Sequence, residues 1–180
     1  TLSMNLLIRT GLGLDEAAGP VAYAEMAPVL PGLQQVAQEE GMHLVWYSPL
    51  PYCIVNPVLL GQGAKSCACI DGILSVDPLG NVLPCSSFEQ GIGSLLEQSF
   101  DEIYESPASR WWRERRYVPP VCRDCDDVDL CAGACPLYWD AAGSFDEIPR
   151  AGADDRCARA AWEADRERGG SFGVPLPGGG

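Results

Sequence analysis

Nine cysteines constrain this 180-residue chain more than any other feature of its sequence. They lie at positions 53, 67, 69, 85, 122, 125, 131, 135 and 157. The count is odd and the sequence shows no secretory leader, and both facts are atypical of a disulfide scaffold. Small secreted domains need disulfides because they lack a core, whereas 47% of these residues are hydrophobic. The cysteines therefore favour thiolate ligation of a metal in a reducing, cytoplasmic compartment.

Charge and hydropathy exclude two classes of partner. The chain has 12 basic and 25 acidic residues, and a net charge of −13 argues against a nucleic-acid ligand. The longest apolar run, around Met42 to Leu50, is too short to span a bilayer, so we expect a soluble protein without a membrane partner. Because the chain opens with Thr1 and then a strand-like run, we expect it to be a fragment of a longer protein.

The first 60 residues have the pattern of a parallel α/β unit. Met4–Thr10 and Met42–Tyr47 are short apolar runs that predict buried strands. Pro28 and Pro31 should prevent one unbroken helix from Val21 to Gly41, but a helix can begin at Pro31. Such a helix would bury one shared face made of Leu33, Val36 and Ala37. Two strands joined by a helix are typical of a βαβ unit.

The composition changes near residue 62, where we place a domain boundary. Gly72–Pro84 alternates around Asp77-Pro78-Leu79-Gly80, a turn sequence that predicts a β-hairpin. Cys122–Cys135 is expected to be a ligand loop. Three further segments predict helices: Leu95–Tyr104, Ala108–Arg116 and Arg156–Arg168. The glycine-rich residues 169–180 have too little to bury and predict a disordered tail.

The spacing of the cysteines indicates metal ligation without choosing the metal. One group is Cys122-x2-Cys125-x5-Cys131-x3-Cys135, followed by Cys157. A two-residue gap lets two sulfurs converge across a tight turn, in zinc and iron–sulfur sites alike. In the upstream group, Cys67-x-Cys69 and Gly80-x4-Cys85 flank the hairpin, so folding should bring Cys69 and Cys85 to one end.

The whole pattern, Cys69-x10-Gly80-x4-Cys85 and then the downstream group to Cys157, resembles the seven-cysteine signature of the SPASM domain. That domain carries auxiliary clusters at the C-terminus of many radical S-adenosylmethionine enzymes. The resemblance covers roughly residues 62–160, and residues 4–60 are similar to the last strands of the partial TIM-like barrel before such a domain. It implies an α/β barrel end over residues 1–61 and a small, loop-rich α+β domain with a β-hairpin over residues 62–168.

The resemblance also implies two auxiliary [4Fe–4S] clusters with interleaved ligands. The first would be held by Cys69, Cys85 and Cys135, with Cys67 as a possible fourth ligand. The second would be held by four further cysteines: Cys122, Cys125, Cys131 and Cys157. Each cluster would join distant segments, so cluster binding should contribute directly to folding.

Two departures limit what the resemblance implies. The family's catalytic cluster needs Cys-x3-Cys-x2-Cys, whereas here Cys131 and Cys135 are followed by Tyr138 in place of the third cysteine. We therefore expect S-adenosylmethionine and a third [4Fe–4S] cluster to be bound upstream of Thr1. Ser86 stands where the sulfatase-maturing branch has an acid–base aspartate, which argues against formylglycine formation.

Several other residues have a functional and a structural interpretation. Cys53, after a barrel strand, is a candidate hydrogen-atom donor, but a buried inert thiol is favoured. His43, the only histidine, is expected to be a partly buried strand residue. The basic segment Arg110–Arg116 could dock an acidic peptide, although a helix with a packed tryptophan face is favoured. The four aspartates of the second cluster's loop are expected to be solvated: Asp124, Asp126, Asp127 and Asp129.

The sequence therefore predicts the C-terminal part of a radical S-adenosylmethionine enzyme whose auxiliary clusters relay electrons or position substrate. Many relatives modify peptides, so the expected partners are a peptide or protein substrate and an electron donor such as flavodoxin or ferredoxin. Two alternatives remain open. One is a non-catalytic iron–sulfur electron-transfer module, and the other is a zinc-binding interaction domain.

Overall fold

The computed structural model describes residues 1–14, 21–149 and 159–165. Its strands and α-helices are, in chain order, β1 (Leu2–Met4), α1 (Tyr23–Glu39), β2 (Leu44–Trp46), β3 (Ser75–Val76), β4 (Asn81–Leu83), β5 (Gly93–Ser94), α2 (Phe100–Tyr104), α3 (Pro107–Arg113), α4 (Val128–Cys131) and α5 (Pro136–Ala142). Residues 159–165 are also helical. Of the helices in these ranges, none combines the length and the apolar character needed to cross a bilayer.

The chain divides into two compact units, and each combines two separate stretches of sequence. Unit 1 contains Thr1–Cys67 and Val118–Arg159, and unit 2 contains Ala68–Tyr117 and the residues from Ala160 onward. The predicted boundary near residue 62 stays a prediction, because compactness alone does not delimit a sequence domain. The predicted tail at 169–180 lies outside the described residues.

In unit 1, β1 and β2 are connected by α1 and pair directly in parallel, with Leu2 opposite Leu44 and Met4 opposite Trp46. The predicted strand at Met4–Thr10 is wrong in position, since β1 ends at Met4. The ladder stops there because the Leu6 N–H donates to the Ser48 hydroxyl at 2.6 Å rather than to a strand carbonyl. The strand-helix-strand order agrees with a βαβ unit, whereas a barrel stays an expectation.

Helix α1 is longer than the sequence indicated, and it passes through both prolines. Pro28 and Pro31 lie inside α1 and are exposed to solvent. Each proline removes one backbone hydrogen bond, but on the solvent side neither ring displaces a packed neighbour. The buried positions are Tyr23, Leu30 and Ala37, spaced by seven residues. Val36, predicted to share the buried face with Ala37, is 53% exposed.

Unit 2 contains the predicted hairpin, extended by a strand that the sequence did not predict. β3 and β4 pair antiparallel, and the Asp77 carboxylate accepts the Leu79 and Asn81 N–H groups at 2.8 and 2.9 Å. Gly80 has φ +83°, a conformation that few other residues adopt. β5 then adds to β4 with Gly93 opposite Val82. The predicted helix at Leu95–Tyr104 is therefore wrong before residue 100, and only Phe100–Tyr104 is helical.

The second stretch of unit 1 is more helical than a plain ligand loop. A short 3₁₀ helix covers Pro120–Cys122, and α4 and α5 follow it. Between α4 and α5 the chain turns through three consecutive residues with positive φ: Ala132, Gly133 and Ala134. A Cβ on Gly133 would lie 2.5 Å from the Pro119 Cδ, so glycine is required there.

Candidate functional site

The hairpin of unit 2 brings Cys69 and Cys85 into contact. Cys69 is buried, and Cys85, which follows β4 after Pro84, is half-buried. The hydrogen bond that Cys69 donates lowers the pKa of Cys85 to about 6, against the opposing effect of burial. The Ser87 backbone N–H also donates to the Cys85 sulfur at 3.4 Å. Cys85 is thus held in surroundings that favour the thiolate, the form that binds metal.

Cys131 lies at the end of α4 in a different environment within unit 1. The backbone N–H of Tyr52 donates to its sulfur at 3.4 Å, and its thiol lies 3.6 Å from the Leu50 carbonyl. Burial is the main cause of the raised pKa of this thiol, and the nearby Cys125 also raises it. The structure therefore brings Cys125 and Cys131 within electrostatic range of each other. Cys122 joins Cys125 through a turn in which the Cys125 N–H donates to the Cys122 carbonyl at 3.1 Å.

Cys135 is buried at the N-terminal end of α5, where both of its backbone polar groups are hydrogen-bonded. Its N–H donates to the Tyr23 hydroxyl at 3.4 Å. Its carbonyl accepts the Tyr138 and Trp139 N–H groups at 3.1 and 3.4 Å. Tyr23 and Tyr52 were not predicted as site residues, because they lie 112 and 79 residues from the cysteines that they contact.

The remaining predicted ligands are placed as follows. Cys67 is buried and belongs with Cys135 to unit 1, whereas Cys69 and Cys85 belong to unit 2. Cys157 lies outside the described residues. Within residues 1–14, 21–149 and 159–165, no three acidic, histidine or cysteine side chains are close enough together to hold a metal ion. The structure thus brings together pairs of predicted ligands but no complete ligand set.

The donor set nevertheless fits an iron–sulfur cluster. The eight described cysteines are thiols rather than disulfides. The Cys85 and Cys131 sulfurs each accept an amide N–H, and hydrogen bonds of this kind tune cluster potentials. The pKa of one of these thiols is already low enough for ligation near neutral pH.

Comparison with known families agrees with this chemistry. Residues 67–126 match the SPASM family model, which is described as an iron–sulfur cluster-binding domain. This segment is therefore similar to a SPASM domain. The match confirms the resemblance that the sequence predicted, and it includes five of the predicted ligands: Cys67, Cys69, Cys85, Cys122 and Cys125. No solved structure matches the chain.

The basic segment Arg110–Arg116 is a packed helix end rather than an open docking surface. Trp111 and Trp112 are both 2% exposed, and their rings meet edge to face. The arginines are paired: Arg110 and Arg113 with Glu105, Arg115 with Asp71, and Arg116 with Asp165. The structural interpretation of this segment is therefore favoured over peptide docking.

Three smaller expectations can be compared with the structure directly. Cys53 is exposed, so the buried inert thiol favoured from the sequence is wrong. His43 is also exposed and precedes β2, because the strand begins only at Leu44. The aspartates at 124, 126, 127 and 129 are all exposed, as expected of a solvated loop.

Proposed function

We propose that this chain is the C-terminal part of a radical S-adenosylmethionine enzyme and that its SPASM domain binds two auxiliary [4Fe–4S] clusters. The first cluster would be held by Cys69, Cys85 and Cys135, with Cys67 as the candidate fourth ligand. The second would be held by Cys122, Cys125, Cys131 and Cys157. The observation that carries the proposal is the contact between Cys69 and Cys85 inside the segment that matches an iron–sulfur family. This contact lowers the pKa of Cys85.

The residues of the chain would ligate the clusters and adjust their surroundings. When bound, such clusters supply one-electron transfer at a potential set by burial and by hydrogen bonds to sulfur. The Ser87 and Tyr52 amides supply one such hydrogen bond each, to Cys85 and Cys131. Because the two cysteines differ in burial, we expect the two clusters to differ in potential.

The parentage and the partners belong to the same proposal. The parallel pairing of β1 and β2, which are connected by α1, supports the assignment of this segment to the end of a partial barrel. A peptide or protein substrate, a flavodoxin or ferredoxin donor and a cytoplasmic location rest on the family resemblance. In this proposal, the cluster that cleaves S-adenosylmethionine is bound by a part of the enzyme other than these 180 residues. This chain alone should therefore not cleave S-adenosylmethionine when it is reduced with dithionite. Cleavage by this chain would contradict that assignment.

The deciding experiment is anaerobic reconstitution followed by iron, sulfide and zinc analysis. The proposal predicts about eight irons per chain, the content of two cubane clusters, and a broad visible absorption that is lost on reduction. About four irons would support cluster binding but not two clusters. A colourless protein that retains zinc would favour the alternative of a zinc-binding interaction domain.

The non-catalytic electron-transfer module is separated from the enzyme by a second experiment. Reduced flavodoxin should bleach the visible absorption of the reconstituted chain under either hypothesis. Only the enzyme hypothesis predicts that a polypeptide joining this chain to a barrel with Cys-x3-Cys-x2-Cys consumes S-adenosylmethionine, and that Cys85→Ala lowers substrate turnover.

A further inference from the structure

The hydroxyl of Tyr23 joins three parts of unit 1. Tyr23 is the first residue of α1 and is 1% exposed. Its O–H donates to the Pro49 carbonyl, in the connection after β2, at 3.2 Å. Its oxygen also accepts the N–H of Cys135 at 3.4 Å. A single buried phenol thus connects α1, the segment after β2 and the backbone of a predicted cluster ligand.

This contact completes the hydrogen bonding of the Cys135 backbone. The carbonyl of Cys135 is fixed by two N–H groups in the first turn of α5, and its N–H is fixed by Tyr23. When both peptide groups of a residue are held, the direction of its Cα–Cβ bond is held as well. Because the sulfur is bonded to Cβ, Tyr23 restricts where the Cys135 sulfur can lie.

Tyr23 is itself firmly placed. Its ring centroid lies 3.9 Å from that of Tyr138 and 5.5 Å from that of Trp139, both in α5. Its backbone N–H donates to the Tyr138 hydroxyl at 3.2 Å, and that hydroxyl donates to Glu147. A phenol is neutral near pH 7, so this hydroxyl can both donate and accept a hydrogen bond.

Packing alone does not explain a tyrosine at this position. A phenylalanine would fill the same space against Tyr138 and Trp139 without a polar atom to satisfy. Burying a hydroxyl is favourable only when it is hydrogen-bonded, and here both of its partners are backbone groups of chain connections. The hydroxyl is thus placed to hold those connections, one of which leads directly into Cys135.

We propose that Tyr23 is a positioning residue for the first auxiliary cluster, acting through the backbone of Cys135. The inference rests on the proposed function, because it needs Cys135 to be a cluster ligand. It adds a residue from the α/β segment, outside the matched SPASM segment, to the determinants of an auxiliary cluster.

The test compares Tyr23→Phe with Ser48→Ala in the reconstituted chain. Both changes remove one buried hydroxyl that accepts a backbone N–H, from Cys135 in the first case and from Leu6 at 2.6 Å in the second. Neither Leu6 nor Ser48 is a predicted cluster ligand. Iron content, electron paramagnetic resonance spectra and midpoint potentials are measured for both variants and the parent, with Cys122→Ala versions of each to isolate the first cluster.

The expected result is selective. Tyr23→Phe should shift or broaden the spectrum of the first cluster, change its midpoint potential and speed its loss to a chelator several-fold. The second cluster should be unchanged, and Ser48→Ala should match the parent in both clusters. A purely structural role of the Tyr23 hydroxyl would instead lower the melting temperature and leave both spectra and potentials as they are, which would overturn the inference.

Two further outcomes are distinguishable. A parent chain without iron would refute the proposed function and this inference together, whereas an iron-loaded parent with an unaffected Tyr23→Phe variant would refute the inference alone. If Tyr23→Phe does not fold, 2,3-difluorotyrosine at position 23 keeps the ring and weakens the oxygen as an acceptor. It should then shift the first-cluster potential in a folded protein, and an unchanged potential would count against Tyr23.

Discussion

Cys85 and Cys131 accept the same kind of hydrogen bond but differ in their ionisation. The Cys85 sulfur receives the backbone N–H of Ser87 and the Cys131 sulfur that of Tyr52, each at 3.4 Å. Backbone hydrogen bonds from Gly133 and Ala134 also lower the pKa of Cys131. Cys85 also receives a hydrogen bond from Cys69, and its pKa falls to about 6. Cys131 instead faces the Leu50 carbonyl and the charge of Cys125, and burial raises its pKa. The comparison teaches that backbone N–H donors do not offset burial at Cys131, whereas the side-chain hydrogen bond from Cys69 outweighs burial at Cys85.

The largest expected effect is the loss of one cluster when either Cys85 or Cys131 is replaced. Cys85→Ala and Cys131→Ala should each remove one cluster, leaving about four of about eight irons and a different remaining spectrum in each variant. The exposed Cys53 provides the matched control, and Cys53→Ala should keep the full iron content. Iron analysis with electron paramagnetic resonance checks this. Identical remaining spectra in the two variants would mean that Cys85 and Cys131 serve one cluster.

The second prediction concerns the turn that separates Cys131 from Cys135. Gly133→Ala combines a positive φ with a Cβ 2.5 Å from Pro119, so it should destabilise the protein by about 3 kcal/mol. Gly143 has a similar φ with open space around it, and Gly143→Ala should cost only about 1 kcal/mol. Melting followed by circular dichroism measures the difference. Equal losses would show that the turn yields to the added methyl group.

The third prediction tests the cause of the difference in pKa directly. In metal-free protein, the alkylation rate of Cys85 should reach half its maximum near pH 6, and that of Cys131 only above its ordinary range. A thiol with a lowered pKa keeps its thiolate as the pH falls, whereas one with a raised pKa gains it only at higher pH. Cys69→Ala should move the Cys85 profile to higher pH. Mass spectrometry of alkylated peptides gives both profiles, and an unmoved Cys85 profile would exclude Cys69 as the cause.

The smallest expected effect lies at the edge of the unit that contains Cys85. Arg116 contacts Asp165 at 2.7 Å, and Trp162 donates to the Tyr117 carbonyl at 2.8 Å, so both contacts join the helix at residues 159–165 to the segment around Tyr117. The Arg116 side chain is half exposed, so Asp165→Asn should cost less than about 1 kcal/mol. Trp162→Phe should destabilise the protein more than Asp165→Asn does, because the Tyr117 carbonyl then loses its indole donor. A larger loss from Asp165→Asn would show that solvent weakens this pair little.

The sequence predicted the features that depend on neighbouring residues. The hairpin follows from Asp77 and Gly80, whose turn chemistry lies within four residues. The SPASM resemblance follows from cysteine spacing and is confirmed by the family match. Helix α1 was underestimated because the sequence does not show that Pro28 and Pro31 face solvent. β5 was missed because a pairing of two residues has no periodicity.

The contacts of the site were less predictable, for a physical reason. Cys69 and Cys85 flank one hairpin, so their meeting follows from local structure. Tyr23 and Cys135 are 112 residues apart, and nothing in the sequence around either one indicates the other. The same holds for Tyr52 and Cys131. The residues around the sulfurs are therefore determined by tertiary packing, which spacing alone does not encode.

Unit 1 is built from two separate stretches of sequence, so it can fold completely only after the second stretch has been synthesised. β1, α1 and β2 are synthesised before the helices with which they share a unit, because those helices begin only after residue 118. Synthesis of the intervening 50 residues takes roughly 3 to 10 s at 5–20 residues per second. During that interval the nascent α/β segment has its own strands but lacks Cys131 and Cys135. Iron delivered to the emerging chain would therefore meet the Cys69–Cys85 hairpin before unit 1 can be complete.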